Sequence, residues 1–153
     1  MKKEYKEIID EYNGNFTILS RLKKLPEDFI REFKDKVDWS GITMNQSLSE
    51  NFITEFQDKV DWSNISYYQT LSEGFMREFQ DKLDWTAIAL YQTFSEDFMR
   101  EFHNKLDWLS ISMNRNLSEE VRKKFEEEYG PSPIPQHEPK FIKESDINSL
   151  ILD

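Results

Sequence analysis

A 23-residue repeat runs through most of the chain and constrains the fold more than any other feature. The repeat occurs four times without insertion between residues 25 and 116. Each copy follows the pattern [LF]-[SP]-E-x-F-[IM]-x-E-F-x-[DN]-K-[VL]-D-W-x-x-I. A fixed period of this length is typical of folds in which small units stack side by side. The sequence therefore predicts a stacked repeat fold and not a domain packed around one central core.

Each copy contains two helical patterns. In the second copy, Ser49 is a favoured helix N-cap residue, and apolar residues follow at helical spacing, as between Phe52 and Phe56. Asp61 suits the N-cap of a second helix, which we expect to end near Gln69. Strict alternation of apolar and polar residues, as in a strand, is absent. The sequence predicts an all-α fold of short helix pairs, about 11 and 8 residues long, stacked into an α-solenoid.

Degenerate copies flank the array. Residues 1–24 are interpreted as an N-terminal capping repeat, because Asn15, Phe16 and Leu19 fall where later copies carry Asp, Trp and Ile. Residues 117–129 begin a fifth copy and are interpreted as a C-terminal capping half-repeat. Repeat arrays need such units because the end faces of the stack are otherwise left open.

The C-terminal residues depart from the repeat. Residues 130–139 are rich in proline and predict an extended linker. Residues 140–153 hold a possible short helix, capped by Ser145 or Asp146 and carrying Ile147, Leu150 and Ile151. Two interpretations remain open for this segment: a docking motif for a partner's groove, or a fold-back onto the open end of the solenoid.

Comparison of the copies separates constant positions from variable ones. The constant aromatic and apolar residues are expected to stack between units as one continuous core: Phe29, Phe52, Phe75, Phe98; Phe33, Phe56, Phe79, Phe102; Trp39, Trp62, Trp85, Trp108; Ile42, Ile65, Ile88, Ile111. Variable residues at the end of the second helix are candidates for partner binding: Met44, Tyr67, Tyr68, Leu90, Tyr91 and Met113. Tyrosine is enriched in binding hot spots. Packing of the tyrosines between repeats is the alternative interpretation.

The charge of the chain restricts the class of partner. The net charge is −10, from 30 acidic and 20 basic residues. Nucleic acids and anionic membranes attract basic surfaces, so direct binding to either is not expected. A regular row of carboxylates suggests an alternative function, an acidic mimic of DNA that acts as a decoy for a nucleic-acid-binding protein. Its candidate residues are Glu32, Glu55, Glu78 and Glu101, with a second row at Glu27, Glu50, Glu73 and Glu96.

No pattern in the sequence indicates catalysis. The chain has no cysteine and two isolated histidines, His103 and His137, and it has no Gly-rich phosphate loop. We therefore expect no enzyme activity, no metal and no cofactor. No apolar run is long enough to span a membrane, and no secretory signal follows Met1. The expectation is an intracellular protein, monomeric or weakly oligomeric, that binds a protein partner.

The repeat motif resembles the short 23-residue repeats of proteins from large DNA viruses and phages. The resemblance covers roughly residues 25–125 and carries no catalytic residue. It implies a viral or mobile-element origin and, with it, a protein that binds and modulates a host factor.

Overall fold

The computed structural model describes residues 2–22 and 24–130, and within these ranges the chain forms eleven α-helices and no β-strand. The helices are α1 (Lys3–Glu11), α2 (Phe16–Leu22), α3 (Glu27–Glu32), α4 (Trp39–Asn45), α5 (Glu50–Glu55), α6 (Trp62–Tyr68), α7 (Glu73–Glu78), α8 (Trp85–Tyr91), α9 (Glu96–Glu101), α10 (Trp108–Met113) and α11 (Glu119–Tyr129). The linker predicted after residue 130 and the segment 140–153 lie outside the described residues.

The helices alternate between two kinds. We call α3, α5, α7, α9 and α11 the A helices, and α2, α4, α6, α8 and α10 the B helices. Each B helix packs against the B helix of the next unit, and α10 packs against α11. The predicted all-α repeat solenoid is confirmed.

Side-chain caps begin most of these helices, as the sequence predicts. The Ser49 side chain accepts a hydrogen bond from the Phe52 backbone N–H, and Asp61 accepts one from the Asn64 N–H. The first copy differs at both of its caps. Pro26 has no side chain that can accept such a bond, and the Asp38 carboxylate is instead bound by the Arg21 guanidinium at 2.9 Å.

The predicted length of the A helices is wrong for the internal copies. Those four helices have six residues each, ending before Phe33 and its equivalents, and a tight turn follows. In the second copy the N–H groups of Lys59 and Val60 both donate to the Phe56 carbonyl, at 2.8 and 3.1 Å. The turn therefore keeps the four-residue spacing that brings Val60 into the core after the helix has ended.

Aromatic side chains join each unit to the next. The Trp62 ring stacks on Phe75 and Phe79 of the following copy, with centroids 6.2 and 5.1 Å apart. Trp39 and Trp85 make the same contacts with the Phe pairs that follow them. Residues that are constant in the sequence thus form the interface between units, which is where a stack of small units gains its stability.

Every copy carries a lysine at the same position, and three of these four lysines lie over the aromatic interface. The Lys82 Nζ atom is 5.2 Å from the Trp62 ring centroid, and the Lys105 Nζ atom is 5.1 Å from that of Trp85. Lys36 lies in the same way over Phe16 and Phe33. A cation over an aromatic face is attracted by the ring's quadrupole, so these lysines hold neighbouring units together.

The N-terminal unit closes its end of the stack. The Asn15 side chain caps α2 through the Ile18 N–H, and Phe16 stacks on Phe29 as a tryptophan does elsewhere. Tyr5 of α1 is buried and meets Phe29 edge to face at 5.2 Å. Residues 2–22 therefore pack on the first full copy, and their assignment as a capping repeat stays a prediction.

A row of buried amide side chains runs along the stack, and sequence reasoning missed it. Gln69 donates from Nε2 to the carbonyls of Thr43 and Gln46 at 2.9 and 2.8 Å, and its Oε1 accepts from the Leu48 N–H at 3.0 Å. Gln92 repeats the pattern one unit later. Each amide thereby satisfies two buried backbone carbonyls of the preceding unit and the buried N–H of the first residue of its own unit.

The fourth copy continues this row with a different residue. Helix α10 ends one residue earlier than the other internal B helices, so Asn114 reaches the place of the glutamine. Its Nδ2 donates to the carbonyls of Ala89 and Gln92 at 2.7 and 2.9 Å. Asn114 is fully buried. Its sequence position is equivalent to that of Tyr68 and Tyr91, which are partly exposed, so the shorter helix changes which way this position faces.

Candidate interaction surface

The exposed apolar side chains of the described chain gather on the B helices. The predicted partner-binding residues are Met44, Tyr67, Tyr68, Leu90, Tyr91 and Met113. Tyr67, Tyr68 and Tyr91 are 45%, 50% and 36% exposed, and Met113 is 61% exposed. Met44 is exposed as well, and Leu90 is half-buried. We call this set the tyrosine surface. The repeat places its members on consecutive B helices, so they form one row along the stack.

Three tyrosines form the centre of the tyrosine surface. The Tyr67 ring lies 4.8 Å from that of Tyr68 and 4.1 Å from that of Tyr91, centroid to centroid. The Tyr67 and Tyr91 hydroxyl oxygens are 2.6 Å apart and share a hydrogen bond. These tyrosines therefore contact each other across two repeats, and a large share of each ring faces solvent.

Three further exposed residues extend the row and were not among the predicted site residues. Ile18 and Leu22 lie on α2, and Leu109 lies on α10 and is 66% exposed. The sequence signal for Leu109 was available, since it stands where the other copies carry Ser or Thr. Ile18 and Leu22 lie in the degenerate N-terminal copy, and the alignment of Phe16 with Trp39 places Leu22 at the position of Tyr68 and Tyr91.

Shallow clefts accompany the tyrosine surface. A cleft of about 440 Å³ lies between Met44 and Tyr68, and another of about 400 Å³ is lined by Tyr68, Tyr91 and Asn116. Two smaller ones, of about 330 and 280 Å³, lie beside Met44 and Met113. A row of concave sites between exposed aromatic and apolar side chains suits an extended polypeptide segment better than a small molecule.

The charge of these four clefts is opposite to that of the chain. Their charged lining residues in the described ranges are Arg21, Lys24 and Arg115, with no acidic side chain among them. Asp38 pairs with Arg21, so Lys24 and Arg115 provide most of the positive field. A protein with a net charge of −10 therefore carries a locally basic, apolar surface along its B helices.

The acidic row at Glu27, Glu50 and Glu73 has a structural role. Each of these carboxylates accepts a hydrogen bond from the backbone N–H of the serine that begins the next unit; for Glu73 and Ser95 the distance is 2.6 Å. Partial burial raises the pKa of Glu73, but bonds from Ser95 and the Arg77 guanidinium outweigh it and leave that pKa below its ordinary value. Glu96, fourth in this row, instead binds Lys124 at 2.6 Å.

In the row formed by Glu32, Glu55, Glu78 and Glu101, two of the four carboxylates pair with arginine. Glu55 accepts from Arg31 Nε at 2.7 Å, and Glu101 accepts from Arg77 Nε at 2.8 Å. The second copy has Thr54 where Arg31 and Arg77 stand, so Glu78 gains no such arginine. Alternating ion pairs make this face a poor imitation of a phosphate backbone, in which every charge has the same sign.

The remaining candidates for chemistry lie apart from one another. His103 is exposed, stacks on Tyr129 at 4.8 Å, and places Nδ1 2.8 Å from the Arg100 carbonyl. In residues 2–22 and 24–130, no three acidic or histidine side chains converge as they would around a metal ion. None of the helices that the structure describes is long and apolar enough to cross a membrane.

Comparisons of the chain with protein-family models, with curated proteins and with solved structures find no match.

The bond between the tyrosine hydroxyls predicts a measurable titration. The hydrogen bond to Tyr91, with some burial, raises the pKa of Tyr67 above its ordinary value. The bond therefore stabilises the fold below pH ~10 and is lost as the pH rises through the raised pKa. We expect Tyr91→Phe to lower the Tyr67 pKa toward its ordinary value, measured by NMR of labelled tyrosine rings. The matched control Tyr68→Phe should leave it unchanged, and an equal drop in both variants would contradict the assignment.

Proposed function

We propose that the protein is a non-catalytic interaction module that binds a segment of another protein along the tyrosine surface. The observation that carries the proposal is the row of half-exposed tyrosines and methionines on consecutive B helices, accompanied by clefts. Stacked repeats commonly present extended surfaces of this kind to protein partners. Tyrosine contributes large contact area at low cost in conformational entropy.

The charges around the tyrosine surface indicate the chemistry of the segment that would bind there. Lys24 and Arg115 lie at separate clefts along the row, with uncharged side chains between them. A segment that presents apolar side chains flanked by carboxylates would complement both features. The resemblance of the repeat to those of viral proteins makes a host-cell protein the partner class that we propose.

The test compares two variants of the full-length tagged protein in pull-downs from lysate, read by mass spectrometry at low and high salt. The first variant combines Tyr68→Ala with Tyr91→Ala and removes two rings of the tyrosine surface. The second, its control, combines Glu55→Gln with Glu101→Gln and removes two charges of the acidic row. We expect the alanine variant to capture about tenfold less of the partner, or less still, than the wild type does. The glutamine variant should capture as much as the wild type. Circular dichroism must show the same helix content in all three proteins.

The alternative function, an acidic decoy for a nucleic-acid-binding protein, predicts the reverse pattern. A basic partner would be lost steeply as salt rises, and it would respond to the glutamine variant and not to the alanine variant. That outcome would overturn the proposal. The ion pairs of Glu55 and Glu101 weigh against it, because a decoy depends on unneutralised carboxylates.

A further inference from the structure

The C-terminal end of the described stack leaves one face of α10 uncovered. Thr43, Ser66 and Ala89 occupy the same position in successive B helices, and all three are fully buried. Ser112 occupies that position in α10 and is only half-buried. The difference arises because the next B helix covers this position in internal units, whereas the residues described up to 130 place only α11 after α10.

A cleft marks the uncovered face. It has a volume of about 400 Å³ and lies between α10 and α11, lined by Trp108, Ser112, Glu119, Arg122, Lys123 and Glu126. Arg122 replaces the buried Ile or Met of the other A helices and donates from Nη1 to the Ser112 carbonyl at 3.4 Å. Its Nε atom is buried and has no hydrogen-bond partner in the described part of the chain. A buried donor needs an acceptor from outside these contacts, supplied either by a bound water or by a further polypeptide segment.

The contacts between internal B helices show what the missing neighbour supplies. The backbone N–H of Asp38 donates to the Ser20 hydroxyl at 3.0 Å, and the N–H of Asp84 donates to that of Ser66 at 2.9 Å. The aspartate is the N-cap of the next B helix in each case. Ser112 carries the same hydroxyl. In the fifth unit, however, Gly130 stands at the aspartate position, and α11 continues to Tyr129.

The missing pattern recurs further along the sequence. The end of each internal unit follows the pattern Phe-x4-Asp-Trp-x2-Ile, as at Phe56, Asp61, Trp62 and Ile65. A similar pattern, Phe-x4-Asp-Ile-x2-Leu, occurs in residues 141–150. Its four defining residues are Phe141, Asp146, Ile147 and Leu150. The intervening residues after Gly130 reach roughly 50 Å when extended, whereas neighbouring helices pack about 10 Å apart. The chain is therefore long enough to return to α10.

We propose that residues 146–151 of the same chain dock in the cleft between α10 and α11 as a sixth B helix. Ile147 takes the position of the tryptophan and Leu150 that of the isoleucine, so both turn toward the stack. The Asp146 N–H meets the Ser112 hydroxyl. The docked segment closes the end of the solenoid, as α1 and α2 close the other end through Tyr5 and Phe16.

Disulfide trapping tests this placement directly, because the chain contains no cysteine of its own. Ser112→Cys with Asp146→Cys brings two thiols into bonding range if the register is correct. The control, Ser112→Cys with Asp153→Cys, uses the position equivalent to the outward-facing Tyr68. We expect at least fivefold more intramolecular disulfide in the first pair after mild oxidation, read by mass spectrometry of the full chain.

The other outcomes overturn the proposal. Equal yields in the two pairs would show that the segment has no defined register on α10. Disulfide-linked dimers would show that a second copy fills the cleft.

A second measurement needs no cysteine. Leu150→Asp should raise hydrogen exchange across Trp108–Met113 about tenfold, whereas Leu152→Asp, at the position of the exposed Tyr67, should not. No change with Leu150→Asp would also overturn the proposal.

Discussion

We expect Gln69→Leu to lower the free energy of unfolding by about 3–6 kcal/mol, since it removes three buried hydrogen bonds at once. The variant fills nearly the same volume but leaves the Leu48 N–H and the Thr43 and Gln46 carbonyls without the amide that binds them. The loss is comparable to the whole stability of many small domains, so much of the population should be unfolded near physiological temperature. Urea unfolding followed by circular dichroism measures it.

Gln57→Leu is the matched control for this prediction. It makes the same chemical change in the same repeat, but Gln57 is half-exposed and its Oε1 accepts only from the Lys82 side chain at 2.8 Å. The lysine regains water when the amide is lost, so the expected change is below about 1 kcal/mol. Similar losses in the two variants would mean that the buried amide row is not a main source of stability.

The repeat made the fold predictable from sequence. Constant Phe and Trp residues at helical spacing identified the interface between units, and Ser49 and Asp61 identified two of the helix starts. The lengths of the A helices were less predictable. The helical spacing from Phe56 to Val60 continues through a turn that is not a helix. It does so because the Val60 N–H still donates to the Phe56 carbonyl, the i to i+4 bond of a helix.

The buried amide row was hidden because a constant polar residue at a helix end has an ordinary explanation as a solvated terminus. Gln46, Gln69 and Gln92 are constant at the same position. Nothing in a single copy reveals that each is buried against the preceding one. The irregular fourth copy, in which Asn114 reaches the same place from a shortened helix, depends on packing that sequence comparison does not describe.

The candidate site was located only in part. The predicted residues do lie in one row on the B helices, since the repeat fixes their register. The sign of the charge around them could not be predicted, because acidic residues are spread along the sequence, yet none of them lines the clefts of the tyrosine surface. Lys24 and Arg115 are distant in sequence and come to lie along one surface only when the units stack.

The aromatic interface carries the second large prediction. We expect Trp62→Ala to lower the free energy of unfolding by about 3 kcal/mol, near the low end for a buried aromatic because Trp62 is only half-buried. The variant loses the stacking on Phe75 and Phe79 and the Lys82 contact. In a stack whose units contact only their neighbours, losing these contacts weakens the coupling between the units before Trp62 and the units after it. Hydrogen exchange should show the halves opening independently.

Trp62→Phe separates ring stacking from mere volume. Phe16 already fills the equivalent position in the N-terminal unit, where it stacks on Phe29 and meets Phe33 at a tilt, so a phenyl ring fits this interface. The variant loses mainly the hydrogen bond from Trp62 Nε1 to the Gln57 carbonyl, 3.0 Å long, which amounts to about 1 kcal/mol. The expected order is therefore wild type, Phe, then Ala, with cooperative unfolding kept in the first two. If Phe proved as destabilising as Ala, the indole N–H bond and not the stacked ring would couple the units.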